Sequence, residues 1–400
     1  MSDFIDDFIA STDNGLSPPI FRKWAAYSII SACLNRNVWT AIRAGMPLWP
    51  NLYTLLVGGP ASGKSVAVEA ARKLVETQPE LTLSPDHATH EAFIQRLSRL
   101  QDSELVGAEI KTKSTTALFL SEWATFLEEP EPRTCAMLAA LFDCRDYENE
   151  TIGRGINSVE QTYINILAGA TPAWFATGFP PNTYEQGLPT RFFFIYSDAL
   201  VPKSTPKFIS DLNTSQEEWA DLVKEFTPKL DKLSRLKGFC GWEPDALEWM
   251  NEWREVNFAP APSSPMLSGY CKRRPLHLGK LSLLQAISSH PEKLTITKKD
   301  LDRAYEDMLE AEKDMSKSLS AAGGNVYQLR QLRIAAFVDE EHAKTKKPVP
   351  EWIVRQRLND LVPPNMLRTI IDEMLASQQL RMIDGLTAPN RKLMPGVVAK

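Results

Sequence analysis

Leu52-Tyr53-Thr54-Leu55-Leu56-Val57-Gly58-Gly59-Pro60-Ala61-Ser62-Gly63-Lys64-Ser65 is the stretch on which the fold turns. Its first six residues form an apolar run of strand length that stops at glycines, the pattern of a strand buried on both faces. Its last eight fit G-x-x-x-x-G-K-[ST], the phosphate-binding loop. Ser65 to Glu76 then places Val68, Ala71, Leu74 and Val75 on one helical face. Strand, glycine loop and helix therefore follow in the order that phosphate binding needs.

The residue types have physical reasons. Small residues let backbone N–H groups wrap a β-phosphate at a helix N-terminus, where the dipole and unpaired amides favour an anion. Gly58, Gly59, Pro60, Ala61, Ser62, Gly63, Lys64, Ser65 and Val66 make up the expected nucleotide-binding run. Lys64 would neutralise the β- and γ-phosphates, and the Ser65 hydroxyl would hold Mg²⁺, so ATP and Mg²⁺ are the implied cofactors.

Hydrolysis also needs a carboxylate at a neighbouring strand tip to orient water. Ala117-Leu118-Phe119-Leu120-Ser121-Glu122 offers Glu122, with Ser121 on the metal side where the usual pattern has Asp. Thr171, after the apolar run Tyr163 to Ala168 and Gly169-Ala170, is either a γ-phosphate sensor or an ordinary turn residue. Arg191 opens the run Phe192-Phe193-Phe194-Ile195-Tyr196 and is either a cation completing a neighbour's site or a salt-bridged Arg. Cys271-Lys272-Arg273-Arg274-Pro275 puts Arg273 and Arg274 ahead of an apolar helix. At a helix start they would suit an anion such as the nucleotide, or form a solvated basic patch.

Working outward, strands alternate with helices up to about residue 205, which predicts an α/β doubly wound sheet of the phosphate-loop kind. Residues 1–48 read as a helical segment packed on a core at 49–205. Residues 206–322 read as a helical lid, with helices at Glu217 to Leu236 and Pro244 to Val256 and a capping box at Thr297. Residues 323–400 read as a winged helix, with helices near Tyr327 to Glu341, Glu351 to Leu358 and Asn365 to Gln378. A hairpin from Leu380 to Gly385 and Arg391 to Met394 closes it.

Bulk properties bound the function. The 400 residues are 43% hydrophobic and 24% charged, a globular composition too large for one ordinary core. No apolar stretch approaches the roughly 20 residues of a membrane span, and the acidic start is the reverse of a secretory leader. Cys33, Cys135, Cys144, Cys240 and Cys271 are scattered and odd in number, which points to a reducing, cytoplasmic compartment without a zinc site. His87 and His90 lack a nearby Cys and read as a helix-face or loop pair. Net charge is −5, yet from Val326 onward twelve Lys and Arg face eight Asp and Glu, which places the positive bias on the C-terminal module.

Beyond the loop, four segments carry a family likeness: Pro50-Asn51-Leu52-Tyr53, Ala88-Thr89-His90-Glu91-Ala92-Phe93, Leu141-Phe142-Asp143 and Gly187-Leu188-Pro189-Thr190-Arg191-Phe192. Over about residues 18 to 320 the chain resembles the AAA+ and related additional-strand ATPases, and in particular the helicase-type ATPases that phages and prophages encode beside primases. A RecA-like core is the alternative. The resemblance implies a homo-oligomeric ring, a hexamer, with ATP at subunit interfaces, Arg191 acting in trans, DNA through the centre and a separate primase as partner. For DNA contact the sequence offers Arg145 and Arg154 in a polar segment read as a loop, Lys111 and Lys113 as second choice, and Arg368, Arg391 and Lys392 in the winged helix. Three functions follow as expectations: a DNA translocase or helicase, a replication initiator or helicase loader, or a degenerate ATPase with a structural or defence role.

Overall fold

A computed structural model describes residues 3–13, 16–43, 45–106, 109–126, 132–151, 155–172, 174, 187–199, 212–256, 260–262, 267–319, 326–358, 364–376, 380–382 and 392–395. They gather into two compact units, Met1–Leu319 and Ser320–Lys400. The segments expected as N-terminal helix, core and lid all lie in the first, and the second begins close to the Gly323-Gly324 break.

The first unit is built on a mixed sheet. Four parallel strands stand in the order β5 (Glu109–Leu120), β8 (Tyr163–Ala170), β3 (Tyr53–Val57), β9 (Phe192–Tyr196), and β4 (Gln101–Val106) adds antiparallel to the outer side of β5. β3, β8 and the first four residues of β9 are buried, which is why they read as continuous apolar runs. The register sets Val57 opposite Ala170 and Tyr196, and Leu120 opposite Ala168. Three strand ends therefore meet at one edge.

Helices close the faces. α1 (Phe4–Ser11) and α2 (Pro19–Leu34) precede the sheet, and α3 (Lys64–Val75) follows β3. α2 is bound to the sheet through a buried amide. Asn165, in mid-β8, accepts from Ser31 Oγ at 2.7 Å and from the Leu52 N–H at 3.0 Å, and donates to Ser28 O at 3.0 Å. Losing such a buried bond costs about 1–3 kcal/mol. α4 (His90–Arg99), α5 (Trp123–Phe126) and α6 (Pro132–Phe142) fill the connections. α7 (Leu212–Ser234), α8 (Pro244–Val256), α9 (Ser268–Ser289) and α10 (Lys298–Ser318) supply the helical part, the last starting at the expected Thr297 capping box. Asp3 caps α1 and also accepts from Gln285, Ser288 and Ser289 of α9, so the N-terminal helix is clasped to the helical part.

Two polar segments depart from expectation. Lys111 and Lys113 belong to the β4–β5 pairing, Gln101 opposite Ser114 and Val106 opposite Glu109. The segment from Arg145 to Asn157 is largely a hairpin of β6 (Tyr147–Thr151) and β7 (Gly155–Val159). Both are polar ladders whose backbone pairing leaves no hydrophobic alternation to read.

The second unit packs α11 (Val326–Thr345), α12 (Glu351–Leu358) and α13 (Pro364–Ala376) around Ile334, Val338, Val354, Leu367, Ile370 and Met374. A three-stranded antiparallel sheet closes it, with Lys392–Pro395 between Val349–Pro350 and Leu380–Met382. Among the described residues no helix is long and apolar enough to cross a membrane.

Candidate nucleotide site

β3 delivers the chain at the sheet's C-terminal edge into the glycine loop. A Cβ on Gly58 would stand 2.6 Å from Ser62 Oγ and 2.7 Å from Ser197 O. One on Gly63, at φ +80°, would stand 2.2 Å from Leu16 O. Backbone is the obstacle at both positions, so the cradle excludes other residues. Ala61 holds φ 57°, a left-handed conformation costing about 1–2 kcal/mol and typical of functional loops.

α3 begins where the loop ends. Its first helical bond runs from the Ala67 N–H to Gly63 O at 3.3 Å, so the N–H groups of Gly63, Lys64, Ser65 and Val66 lack an intrahelical acceptor. No acidic residue lies in the first turn and no side chain caps it. The positive end of the helix is thus left for an external anion.

Lys64 is buried and folded back into the loop. Its ammonium donates to Gly58 O at 2.9 Å, Gly59 O at 2.7 Å and Ser62 Oγ at 3.2 Å, all neutral oxygens. Burial pulls its pKa down, and the Glu122 carboxylate pushes it back up. Glu122 answers in kind: burial raises its pKa above the ordinary carboxylate range, and Lys64 lowers it. Expected lysine and expected carboxylate therefore sense each other's charge across the strand edge. Gly169 makes this approach possible, because a Cβ there would lie 2.4 Å from Ser121 O and 3.6 Å from Lys64 Cβ.

Ser121 does not stand alone. Its hydroxyl donates to Glu69 Oε1 at 2.8 Å. Glu69 lies four residues beyond Ser65 on α3, one helical turn along the same face, a spacing visible in the sequence but not used there. The Ser121–Glu69 pair offers hard oxygen atoms of the kind Mg²⁺ prefers. Among the described residues no three His, Cys, Asp or Glu side chains gather for a metal, so a magnesium ion here would depend on phosphate oxygens for the rest of its shell.

Thr171 stands at the tip of β8 as expected. Its carbonyl and hydroxyl both accept from the Trp174 N–H, at 3.0 and 3.3 Å, which is turn chemistry. Beside the loop lies a cavity of about 260 Å³, walled by Phe8, Asp13, Arg22, Val66, Trp219 and Leu222 among others. Its size and mixed lining suit a nucleoside next to the phosphates. Apart from Val66, no sequence signal marked these residues, because α1, α2, α3 and α7 bring them together from separate segments.

The expected arginines lie away from the glycine loop of their own chain. Tyr53 pairs with Phe192, so Arg191 sits at the N-terminal edge of the sheet, a five-residue strand or about 17 Å from the loop. It is 8% exposed, with Nη2 2.7 Å from Asp143 Oδ2 and Nη1 donating to Gly187 O at 2.8 Å. Arg273 points to the same carboxylate, Nη1 to Oδ1 at 3.5 Å. The expectation that Arg273 and Arg274 open a helix is corrected: α9 starts at Ser268 and runs through Pro275, so both arginines are already inside it. Arg274 is fully buried in a two-pronged pair with Glu312, at 2.7 and 2.9 Å, and donates to Pro260 O. It is not available to a nucleotide.

Of the expected DNA contacts, Arg145, Arg368 and Lys392 are exposed, and Arg154 and Arg391 lie outside the described residues. His90 is buried, Nδ1 3.1 Å from Thr134 Oγ1, consistent with a structural role. The five cysteines are all unpaired, as the sequence implied. A scan against protein-family models finds no match to this chain, and neither does a search of curated proteins.

Proposed function

We propose that the chain is a phosphate-loop ATPase acting on DNA, a ring-forming translocase or helicase of the replicative kind. One observation carries the reading: a buried lysine, held by neutral oxygens at a helix start in a loop that needs glycine at Gly58 and Gly63, with a carboxylate at a neighbouring strand tip. The strand order adds support. β8 stands between the loop-bearing β3 and the Glu122-bearing β5, as the additional-strand arrangement requires.

In this reading the amides from Gly63 to Val66 take phosphate oxygens, and the Lys64 ammonium exchanges its loop carbonyls for them. Ser65 would hold the metal through its hydroxyl, and the Ser121–Glu69 pair would help to orient it. Bound Mg²⁺ contributes charge neutralisation on the phosphates. Glu122, acting as the carboxylate, takes a proton from the attacking water. Arg191, paired with Asp143, stands about 17 Å from its own chain's loop, so any part it takes falls on a neighbouring subunit's site.

The second unit, three helices closed by an antiparallel sheet, fits a winged helix able to meet duplex DNA through Arg368 and Lys392. Priming would fall to a separate primase. That same unit favours a second reading, an initiator or loader that holds duplex and uses ATP for assembly.

ATP turnover with and without DNA separates these readings. Stimulation by DNA, lost in Lys64→Ala and in Glu122→Gln, supports the motor. Slow turnover indifferent to DNA, with ATP-dependent assembly, selects the loader. Turnover unchanged in Lys64→Ala removes both.

A further inference from the structure

On the sheet edge opposite the glycine loop lies a cleft of about 670 Å³ between α9, the end of α6 and the hairpin of β1 (Val38–Arg43) and β2 (Met46–Leu48). Seven basic side chains line it against a single carboxylate, Asp143. That carboxylate is already shared by Arg191 and Arg273.

Two of the remaining cations are held by neutral groups. Lys280, 3% exposed, donates to Asn51 O at 2.8 Å and Asn51 Oδ1 at 2.6 Å, with its ammonium 3.9 Å from the centre of the Phe142 ring. Arg36 donates to Cys144 O and Thr162 O, and its guanidinium lies 4.5 Å over Trp49. Lys272 and Arg145 stand exposed at the mouth. Carbonyls and rings thus fix Lys280 and Arg36 in place without cancelling their charge. Burial and the neighbouring Arg191 and Arg145 pull the Arg273 pKa down, and burial takes Lys280 down to about 8, so the lining is electrostatically strained as it stands.

We propose that this cleft binds the phosphate backbone of a single-stranded nucleic acid, several phosphates at a time. The inference deepens the DNA-dependent reading above and rests on it. The cleft is too far from the glycine loop to share that loop's nucleotide within one chain, about 17 Å along β3. Its charge is spread from the buried Lys280 to the exposed Lys272 and Arg145, a track rather than a point, which suits a strand better than one phosphate group. Free nucleotides carry the same chemistry and are separated by the test.

The test uses the full chain, without ATP, and a fluorescently labelled 20-residue oligo(dT) followed by anisotropy at 50 and 200 mM salt. Wild type binds, and its affinity falls with salt in proportion to the phosphates contacted. The double variant Arg145→Glu/Lys272→Glu weakens binding at least tenfold and flattens the salt slope. Both positions are exposed, and an unchanged melting temperature establishes that the variant folds. Binding of a fluorescent ATP analogue stays intact in this variant and is lost in Lys64→Ala, which in turn keeps the oligonucleotide. Failure of strand binding is thereby distinguished from failure of the nucleotide site.

Wild-type affinity and salt slope retained by the double variant would overturn the proposal, as would no strand binding at 50 mM salt. Displacement of the strand from Lys64→Ala by equimolar ADP or tripolyphosphate would also overturn it, assigning the cleft to free nucleotides.

Discussion

Ser121 Oγ donates to Glu69 Oε1 at 2.8 Å, so the serine at the tip of β5 is coupled to a carboxylate of α3. A negative charge thus lies one side chain away from the strand tip. If the pair orients the metal shell, Glu69→Gln raises the Mg²⁺ concentration for half-maximal turnover about tenfold or more, the usual effect of removing an outer-shell partner. ATP binding changes little. An unchanged Mg²⁺ titration would reduce the hydrogen bond to a structural contact.

Lys64 and Glu122 have separable tasks. Lys64→Ala removes the only ammonium in the loop, and loss of ATP-analogue binding in a direct titration is expected. Glu122→Gln preserves shape but cannot accept a proton, so binding persists while turnover falls by about 10² to 10⁴. Burial raises the Glu122 pKa, and the protonated form is inactive. Turnover therefore declines, as pH falls, at a higher pH than an exposed carboxylate would give. That limb is expected to vanish from the residual rate of Glu122→Gln.

Gly63 joins a φ of +80° to a Cβ position 2.2 Å from Leu16 O. Gly63→Ala must move either the loop or the chain segment at Leu16. A loss of at least about 1–2 kcal/mol in denaturant unfolding is expected, together with weaker ATP binding.

Arg191 and Asp143 make a mostly buried pair at the far edge of the sheet. Arg191→Ala leaves Asp143 with the more distant Arg273 and frees Gly187 O, so a loss of about 1–3 kcal/mol by thermal melting is expected. Arg191→Lys recovers only part of it, because an ammonium cannot span both acceptors in the fork geometry. Restoration of turnover on mixing Arg191→Ala with Glu122→Gln subunits would instead return the arginine to a shared site.

Much of this was legible because it is local. β9 at Phe192–Tyr196, α8 at Pro244–Val256 and α12 at Glu351–Leu358 match their apolar patterns and helix-start signals to the residue. The glycine loop lies wholly within one strand, turn and helix, so its spacing encodes its geometry. What stayed hidden depends on tertiary pairing. β4 and the first half of β5 are mostly polar in sequence, without a clear apolar alternation, and their mutual backbone pairing makes them strands. Arg274 looked like a helix-start cation because Pro275 suggested a boundary, whereas α9 begins two turns earlier and turns that side chain inward to Glu312. The cationic cleft assembles residues from Arg36 to Lys280, a separation no motif spans.

His277 offers a readout of the packing between α9 and the sheet. Its ring lies 4.6 Å from Phe193 and 5.1 Å from Tyr270, and Nε2 is 3.1 Å from Thr190 O, an acceptor that fixes the proton on that nitrogen. Burial pushes its pKa from about 6.5 down to about 3, with Lys280, Arg273 and Arg191 adding to the effect against the Thr190 bond. Between those values the unfolded chain takes up a proton that the folded chain refuses. The stabilisation is therefore complete above about pH 6.5 and is lost as pH falls toward 3, at up to about 1.4 kcal/mol per pH unit. His277→Gln keeps an N–H donor and removes the titration. Comparing the two proteins by urea unfolding from pH 7 to pH 4, wild type should lose stability more steeply, the difference growing below pH 6. Parallel curves would mean that the imidazole is protonated inside the fold, and that α9 tolerates a further positive charge beside Lys280.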